Sequence, residues 1–129
     1  MKTIKVSDKS RGIVFKDSAL AHQYCIGHGI EIGPGAHNPF NLEDCLAVGL
    51  DNDSVFRNSE VDLCGSYTEI DIPANMGDLP LEDSSVDYVI SSHAFEHYED
   101  PVSLLIEWAR VVVDGGVIFT IIPKRDALP

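Results

Sequence analysis

The sequence predicts an α/β domain, and two features of its pattern indicate that class. Apolar runs of strand length recur between turn residues and stretches in which apolar side chains have helical spacing, which is typical of βα units. The run at residues 29–32 is short, apolar and flanked by glycines, as expected of a central parallel strand buried on both faces. Strands and helices are therefore expected to alternate along the chain.

The same pattern assigns the individual elements. The predicted strands are residues 29–32, 46–51, 67–72, 86–91 and 117–122, and a short helix is predicted over residues 18–26. Residues 1–12 are polar and are expected to be irregular. Residues 73–85 are rich in Pro, Gly, Asp and Asn and are expected to form a loop. Residues 1–129 together are predicted to form one domain.

The last predicted helix has start and stop signals. Asp100-Pro101 offers an N-cap acceptor followed by proline at the first helical position, where no N–H is needed. Apolar residues then recur at helical spacing, and among them Trp108 is expected to lie in the core. The glycines of residues 114–116 are expected to end the helix. Arg110 is expected to bond locally near that end.

Composition and charge disfavour several classes of partner. A chain of 129 residues with 44% hydrophobic residues suits a single globular domain. Its 21 acidic and 9 basic residues give a net charge of −12, which disfavours binding to nucleic acid or to an anionic membrane surface. A small molecule or a neutral, sugar-like acceptor is a better match.

The cysteines and the apolar segments predict the cellular location of the protein. Cys25, Cys45 and Cys64 are odd in number, far apart and without a CxxC motif, which argues against a disulfide framework and a thiolate zinc site. They are expected to be small buried hydrophobes in a reducing compartment. No segment approaches the roughly 20 apolar residues of a membrane span. The protein is therefore predicted to be soluble and cytoplasmic.

A turn containing glycines follows the first predicted strand. Glu31-x-Gly33-x-Gly35, with Asp51 closing the next strand, is typical of a nucleotide-type pocket at the carboxyl ends of parallel strands. Glycine lets the backbone turn sharply and lets a ligand approach without a Cβ in the way, while Asp51 can accept hydrogen bonds from ribose hydroxyls. Taken alone, the two glycines are equally compatible with a tight turn that binds nothing.

Further motifs carry a family resemblance. They are Glu31-Ile-Gly-Pro-Gly35, Leu50-Asp51, Asp78-Leu-Pro-Leu81, Ser85-Val-Asp-Tyr-Val89, His93-Ala-Phe-Glu-His97, Asp100-Pro101, Glu107 to Arg110 and Gly115-Gly116. In this order the chain resembles class I S-adenosylmethionine-dependent methyltransferases over about residues 28–123, especially their small-molecule, methyltransferase type 11-like branch. Residues 35–40 also resemble members found beside glycosyltransferases. The resemblance implies a Rossmann-like, doubly wound, mostly parallel sheet in strand order 3-2-1-4-5.

The resemblance also implies a site for S-adenosylmethionine. The cofactor-binding residues that it implies are Glu31, Gly33, Pro34, Gly35, Asp51, Asp78 and Leu79. The loop at residues 31–35 would hold the methionine part, Asp51 would bind the ribose, and Asp78 and Leu79 would flank the adenine. The family's adenine-contacting acid usually lies earlier in that loop, at Asn75 and Met76 here. Asp78 therefore remains open to a second interpretation, a solvated loop acid.

The same motifs separate methyl transfer from redox chemistry. The third glycine of a dinucleotide-binding GxGxxG would fall at Asn38, which argues against NAD. Methyl transfer depends mostly on alignment of the acceptor with the methyl group, and a base is needed only if the acceptor must lose a proton. His93, at the end of the fourth predicted strand, is the candidate base. The sequence is equally compatible with a loop histidine that has no chemical role. Glu96 and His97 are expected to cap or pack the next helix.

His93-x-x-Glu96-His97 also matches the inverted zinc-protease motif. Zinc binding by that motif requires a helix that presents both histidines on one face, and a further ligand downstream. Here a predicted strand leads into the motif and Pro101 follows it. This context argues against a zinc metallopeptidase, and no metal ligand is predicted.

The likeness to the family ends at the fifth predicted strand. A complete member adds two more strands, so the outer edge of residues 117–122 is expected to be unpaired unless a second copy covers it, which predicts a homodimer. Segments after that strand commonly close the acceptor pocket in the family. The predicted function is methylation of a small-molecule or saccharide-type acceptor. The alternative is a non-catalytic remnant or fragment that binds the cofactor or a partner chain.

Overall fold

The computed structural model describes residues 18–34, 40–50 and 69–123. Its elements are α1 (Ser18–Tyr24), β1 (Gly29–Ile32), β2 (Cys45–Gly49), β3 (Ile72–Pro73), β4 (Val86–Ser92), α2 (Pro101–Val111) and β5 (Val112–Ile121). The five strands form one sheet in the order β3-β2-β1-β4-β5, and each neighbouring pair is parallel. The predicted fold class and strand order are confirmed.

The element boundaries agree best at the centre of the sheet. Strand β1 has the predicted limits, β4 extends to Ser92, β2 is shifted to Cys45–Gly49, and α1 ends at Tyr24. The predicted limits of β3 were wrong, because residues 69–71 are not in a strand and only Ile72 of the predicted range belongs to the two-residue ladder with β2. Residues 67 and 68, like residues 1–12, lie outside the described ranges.

The junction between α2 and β5 corrects the predicted helix end. The N-cap prediction is confirmed, since the Asp100 side chain accepts from the Ser103 N–H at 3.1 Å with Pro101 in the first turn. The helix ends at Val111, however, and β5 begins at once. Val86 of β4 pairs with Val112 of β5, and the next paired residues are Tyr88 and Val117. The intervening residues of β5, which include the predicted glycine stop, therefore form a bulge within the strand. Gly115 has φ 80°, a left-handed conformation that glycine adopts without steric cost.

The sheet separates two apolar clusters. Cluster A lies on the side of α2 and contains Ile30, Ile32, Val48, Leu79, Val86, Val89, Leu104, Trp108, Val111 and Val112. Cluster B lies on the side of α1 and contains Ala21, Cys25, Phe40, Cys45, Tyr88 and Ile90. Along β4, Val89 belongs to cluster A whereas Tyr88 and Ile90 belong to cluster B, as the alternation of side chains across a strand requires. The central strands are therefore buried on both faces.

The described cysteines behave as small apolar residues. Cys25 and Cys45 are buried in cluster B, as predicted, and Cys64 lies outside the described residues. Burial raises the pKa of Cys25 to about 11, because the thiolate would lose its hydration. The thiol is therefore protonated at neutral pH, and a nucleophilic role is disfavoured.

Candidate functional site

A cavity of about 490 Å³ opens at the carboxyl ends of β1, β2 and β4. Its lining consists of Ile32, Gly33, Val48, Gly49, Leu50, Ala74, Asn75, Met76, His93, Ala94, His97 and Tyr98. Most of these side chains are apolar, and the polar ones lie on two loops that follow β3 and β4. A mainly apolar cavity with a few polar groups, at the strand ends of a parallel sheet, is the usual form of a small-molecule site.

The turn after β1 forms one wall of this cavity. Gly33 has φ 62°, its N–H donates to the Val48 carbonyl at 2.9 Å, and a Cβ on it would lie 3.3 Å from the Ala94 Cβ. Glycine therefore lets the chain turn at this point and leaves the backbone accessible from the cavity. Glu31 and Pro34 are buried beside it. The predicted Gly35 and Asp51 lie outside the described residues.

His93 follows β4, the strand next to β1. Its φ is 55°, a conformation uncommon for residues other than glycine, and its N–H donates to the Ile121 carbonyl at 2.8 Å. Such a conformation costs about 1–3 kcal/mol and is maintained only where the surrounding structure fixes it. The exposed side chain is part of the cavity lining.

Glu96 lies between the two histidines of the same loop. Its Oε2 is 3.5 Å from His93 Nδ1 and 3.9 Å from His97 Nε2, while its Oε1 is buried and has no hydrogen-bond partner. The residues Phe95–His97 form one turn of 3₁₀ helix, with β4 before it and α2 after it. Within the described ranges, no three His, Cys, Asp or Glu side chains are grouped as a metal site would require. His97, which was predicted to cap or pack the next helix, lines the cavity with its side chain 74% exposed.

The loop between β3 and β4 forms the remaining wall. Asn75 and Met76 line the cavity. Asp78 is exposed, and Leu79 is 3% exposed as a member of cluster A. The adenine contact predicted for Asp78 and Leu79 remains a prediction.

Several cavity residues had no signal in the sequence pattern. Leu50, Tyr98 and Ala94 are apolar or aromatic residues of the kind found throughout a core, and no spacing marks them as ligand contacts. Only their position just after β2 or β4 could have indicated a place near the strand ends.

Arg110 bonds locally to Glu107, as predicted, and also to residues about 30 positions earlier in the chain. It donates to Glu107 at 2.8 and 2.9 Å, and also to the carbonyls of Leu79 and Leu81 and to Asp83, at 2.8–3.1 Å. Glu107 in turn accepts the Leu79 N–H at 2.6 Å. The hydrogen bonds from Arg110 lower the pKa of Glu107, which therefore keeps its negative charge at neutral pH.

A further observation concerns membranes. None of the helices in the described part of the chain has the length and apolarity that a membrane-spanning segment requires.

Comparison with known proteins identifies the family. Residues 30–120 match the family model described as a methyltransferase domain. A curated relative from Mycolicibacterium smegmatis, named a probable S-adenosylmethionine-dependent methyltransferase, is 33% identical over 111 residues, which cover 82% of this chain and 42% of the relative. The chain thus spans less than half the length of this relative.

Solved structures agree on the fold. A S-adenosylmethionine-dependent methyltransferase from Aquifex aeolicus has a TM-score of 0.61 at 20% identity, covering 95% of this chain and 73% of that protein. The YcgJ protein of Bacillus subtilis has a TM-score of 0.58 at 20% identity, and the match covers 81% of this chain and 49% of that protein. Since the family match also covers more than half of the chain, this protein belongs to the methyltransferase domain family.

Proposed function

We propose that this chain binds S-adenosylmethionine in the cavity at the carboxyl ends of β1, β2 and β4, and that it belongs to an enzyme that methylates a small-molecule or saccharide-type acceptor. The observation that carries the proposal is the position of the cavity against the Gly33 turn, in a chain of this family. Its volume lies within the range of about 300–1,000 Å³ that is common for small-molecule sites.

The lining residues fit such a ligand. The accessible backbone of Gly33 suits close approach of the methionine part, and Asp51, which follows β2, would accept hydrogen bonds from the ribose. The apolar surfaces of Leu50, Ala74 and Met76 suit a flat adenine ring. When bound, S-adenosylmethionine would supply an electrophilic methyl group, so the chain itself has to orient the two reactants and exclude water.

Charge in the described residues supports an acceptor that is not an anion. Arg110 is the single lysine or arginine within residues 18–34, 40–50 and 69–123, and carboxylates of Glu107 and Asp83 already neutralise it. An anionic acceptor would therefore find no free ammonium or guanidinium group in this part of the chain, while the many acidic side chains would repel it.

Calorimetric titration tests the cofactor assignment. S-adenosylmethionine is expected to bind to the wild type, whereas NAD and Zn²⁺ are not, and Asp51→Ala is expected to weaken binding about 10-fold or more because a ribose contact is lost. Glu99→Ala serves as a control, since it removes an exposed carboxylate outside the cavity lining. Binding of NAD or Zn²⁺, or no binding of S-adenosylmethionine, would contradict the proposal.

His93 is proposed as the base for acceptors that must lose a proton. His93→Ala is expected to keep S-adenosylmethionine affinity within about 3-fold and to reduce methyl transfer by about 10²-fold or more, the usual contribution of a positioned base. Radiolabelled methyl transfer to a panel of small hydroxyl and amine compounds measures the loss. Full activity of this variant would remove His93 from the chemistry.

A second proposal follows from the partial coverage of the curated relative. The chain spans 42% of that protein, so cofactor binding without turnover is the alternative, with any acceptor contacts supplied by other residues or by a partner chain.

The edge of β5 away from β4 has no strand partner among the described residues, and we propose a second copy there. A monomeric mass by light scattering would contradict that dimer. The buried thiol of Cys25, which is not in a disulfide, supports a cytoplasmic location.

A further inference from the structure

Three side chains of α2 reach the loop between β3 and β4, although none of them lines the cavity. We name residues 74–83 the wall loop, because its first three residues are part of the cavity lining. The three side chains are Glu107, Trp108 and Arg110. The wall loop has no ladder of its own beyond one isolated bridge between Asn75 and Asp78. Its position therefore depends on contacts from elsewhere.

Trp108 fixes the end of the wall loop that faces the cavity. Its side chain is fully buried, and its indole Nε1–H donates to the Met76 carbonyl at 3.0 Å. Its ring also meets Phe95 edge to face, with 5.7 Å between centroids, so the loop after β4 packs against the same indole. One side chain thus contacts two of the segments that line the cavity, the wall loop and the loop after β4.

Glu107 and Arg110 fix the next part of the wall loop. Glu107 accepts the Leu79 N–H, and Arg110 donates to the Leu79 and Leu81 carbonyls while it is paired with Glu107. Both backbone polar groups of Leu79 are therefore bonded to α2. Charged partners make such hydrogen bonds stronger than neutral ones, and the planar guanidinium fixes their direction.

We propose that Trp108 and the Glu107–Arg110 pair are positioning residues for the cofactor pocket, which set ligand affinity by fixing the backbone from Met76 to Leu79. Met76 lines the cavity, and Leu79 is buried in cluster A, so the helix side chains hold the wall between these two points. A wall that is ordered before binding does not have to lose conformational freedom when the ligand arrives. This inference rests on the proposed function, because it concerns the same ligand.

The first variant is Trp108→Phe, which keeps an aromatic ring and removes the N–H donor to Met76. Arg110→Lys is the second, since it keeps the charge but cannot form the same set of directed bonds. Val111→Ala is the matched control: Val111 is fully buried in the same helix and cluster, but its side chain makes no hydrogen bond to the wall loop. It reports the effect of a general loss of stability.

Two readouts separate positioning from stability. In the apoprotein, hydrogen exchange at the Leu79 amide is expected to accelerate at least about 10-fold in both variants relative to the Val111→Ala control. The dissociation constant for S-adenosylhomocysteine, measured by calorimetry, is expected to rise about 3- to 10-fold in both variants and to stay within 2-fold in the control.

The outcomes distinguish this inference from the proposed function. If the wild type binds S-adenosylhomocysteine and both variants bind it as tightly as the wild type does, the positioning role is overturned. Equal weakening in the Val111→Ala control would also overturn it, since loss of stability would then explain the effect. A wild type that binds no S-adenosylhomocysteine overturns the proposed function together with the cofactor part of this inference. Unchanged exchange at Leu79 in both variants overturns the statement that α2 fixes the wall loop.

Discussion

Replacement of Trp108 by alanine is expected to lower the free energy of unfolding by about 3–5 kcal/mol, the range for deletion of a large buried aromatic side chain. The indole is fully buried in cluster A and contacts Phe95, so its removal would leave a cavity that the parallel sheet above it cannot fill. The Met76 carbonyl would also lose its hydrogen-bond donor. For a domain of this size, such a loss is a large part of the total stability.

Urea denaturation followed by far-UV circular dichroism measures this effect. Ile106→Ala is the control, because Ile106 lies in the same helix with its side chain 66% exposed, and its replacement is expected to change stability by less than about 1 kcal/mol. A Trp108→Ala protein as stable as the control would show that α2 does not complete the core in solution.

Replacement of Gly29 by alanine is the second large effect, with an expected loss of about 3 kcal/mol, at the upper end of the usual range for overpacking. A Cβ on Gly29 would lie 2.3 Å from the ring of Tyr88. Strand β1 cannot move away, since Gly29 pairs with Cys45 on one side and with Tyr88 on the other. The ring cannot move away either, because it is buried and its hydroxyl donates to the Asp44 carbonyl at 2.9 Å.

A double-mutant cycle tests the cause of that loss. If the ring of Tyr88 is the obstacle, Gly29→Ala should cost little in a Tyr88→Ala background, and the coupling free energy should exceed about 1 kcal/mol. Additive effects in the two backgrounds would mean that the Cβ is accommodated by the ring and that the cost has another origin.

The sequence pattern located the centre of the sheet better than its periphery. Strands β1 and β4 are mostly apolar, apart from Glu31 in β1 and Asp87 and two serines in β4, because both faces are covered, and this property can be read from the sequence itself. The start of β5 was missed because Gly115 and Gly116 have the composition of a helix stop, whereas here they occupy a bulge opposite β4. Local composition does not distinguish these two uses of glycine.

In the candidate site, too, some residues could be predicted from the sequence and others could not. The Gly33 turn and His93 were predicted because they follow strands directly, and both line the cavity. The wall loop was less accessible to prediction, since its position is set by Glu107, Trp108 and Arg110, each about 30 residues further along the chain. Helical spacing marked Trp108 as a core residue, but no spacing rule indicates which carbonyl a buried indole will meet.

The strand order also has a consequence for how this chain folds. Strand β1 is held between β2, which begins at Cys45, and β4, which begins at Val86, so its second neighbour is added only after a long stretch of chain has been synthesised. Loop closure over that distance costs entropy before the central ladder can form. Folding is therefore expected to be slow compared with that of a helical bundle, with the consecutive elements β4, α2 and β5 as the most local unit from which the sheet can grow.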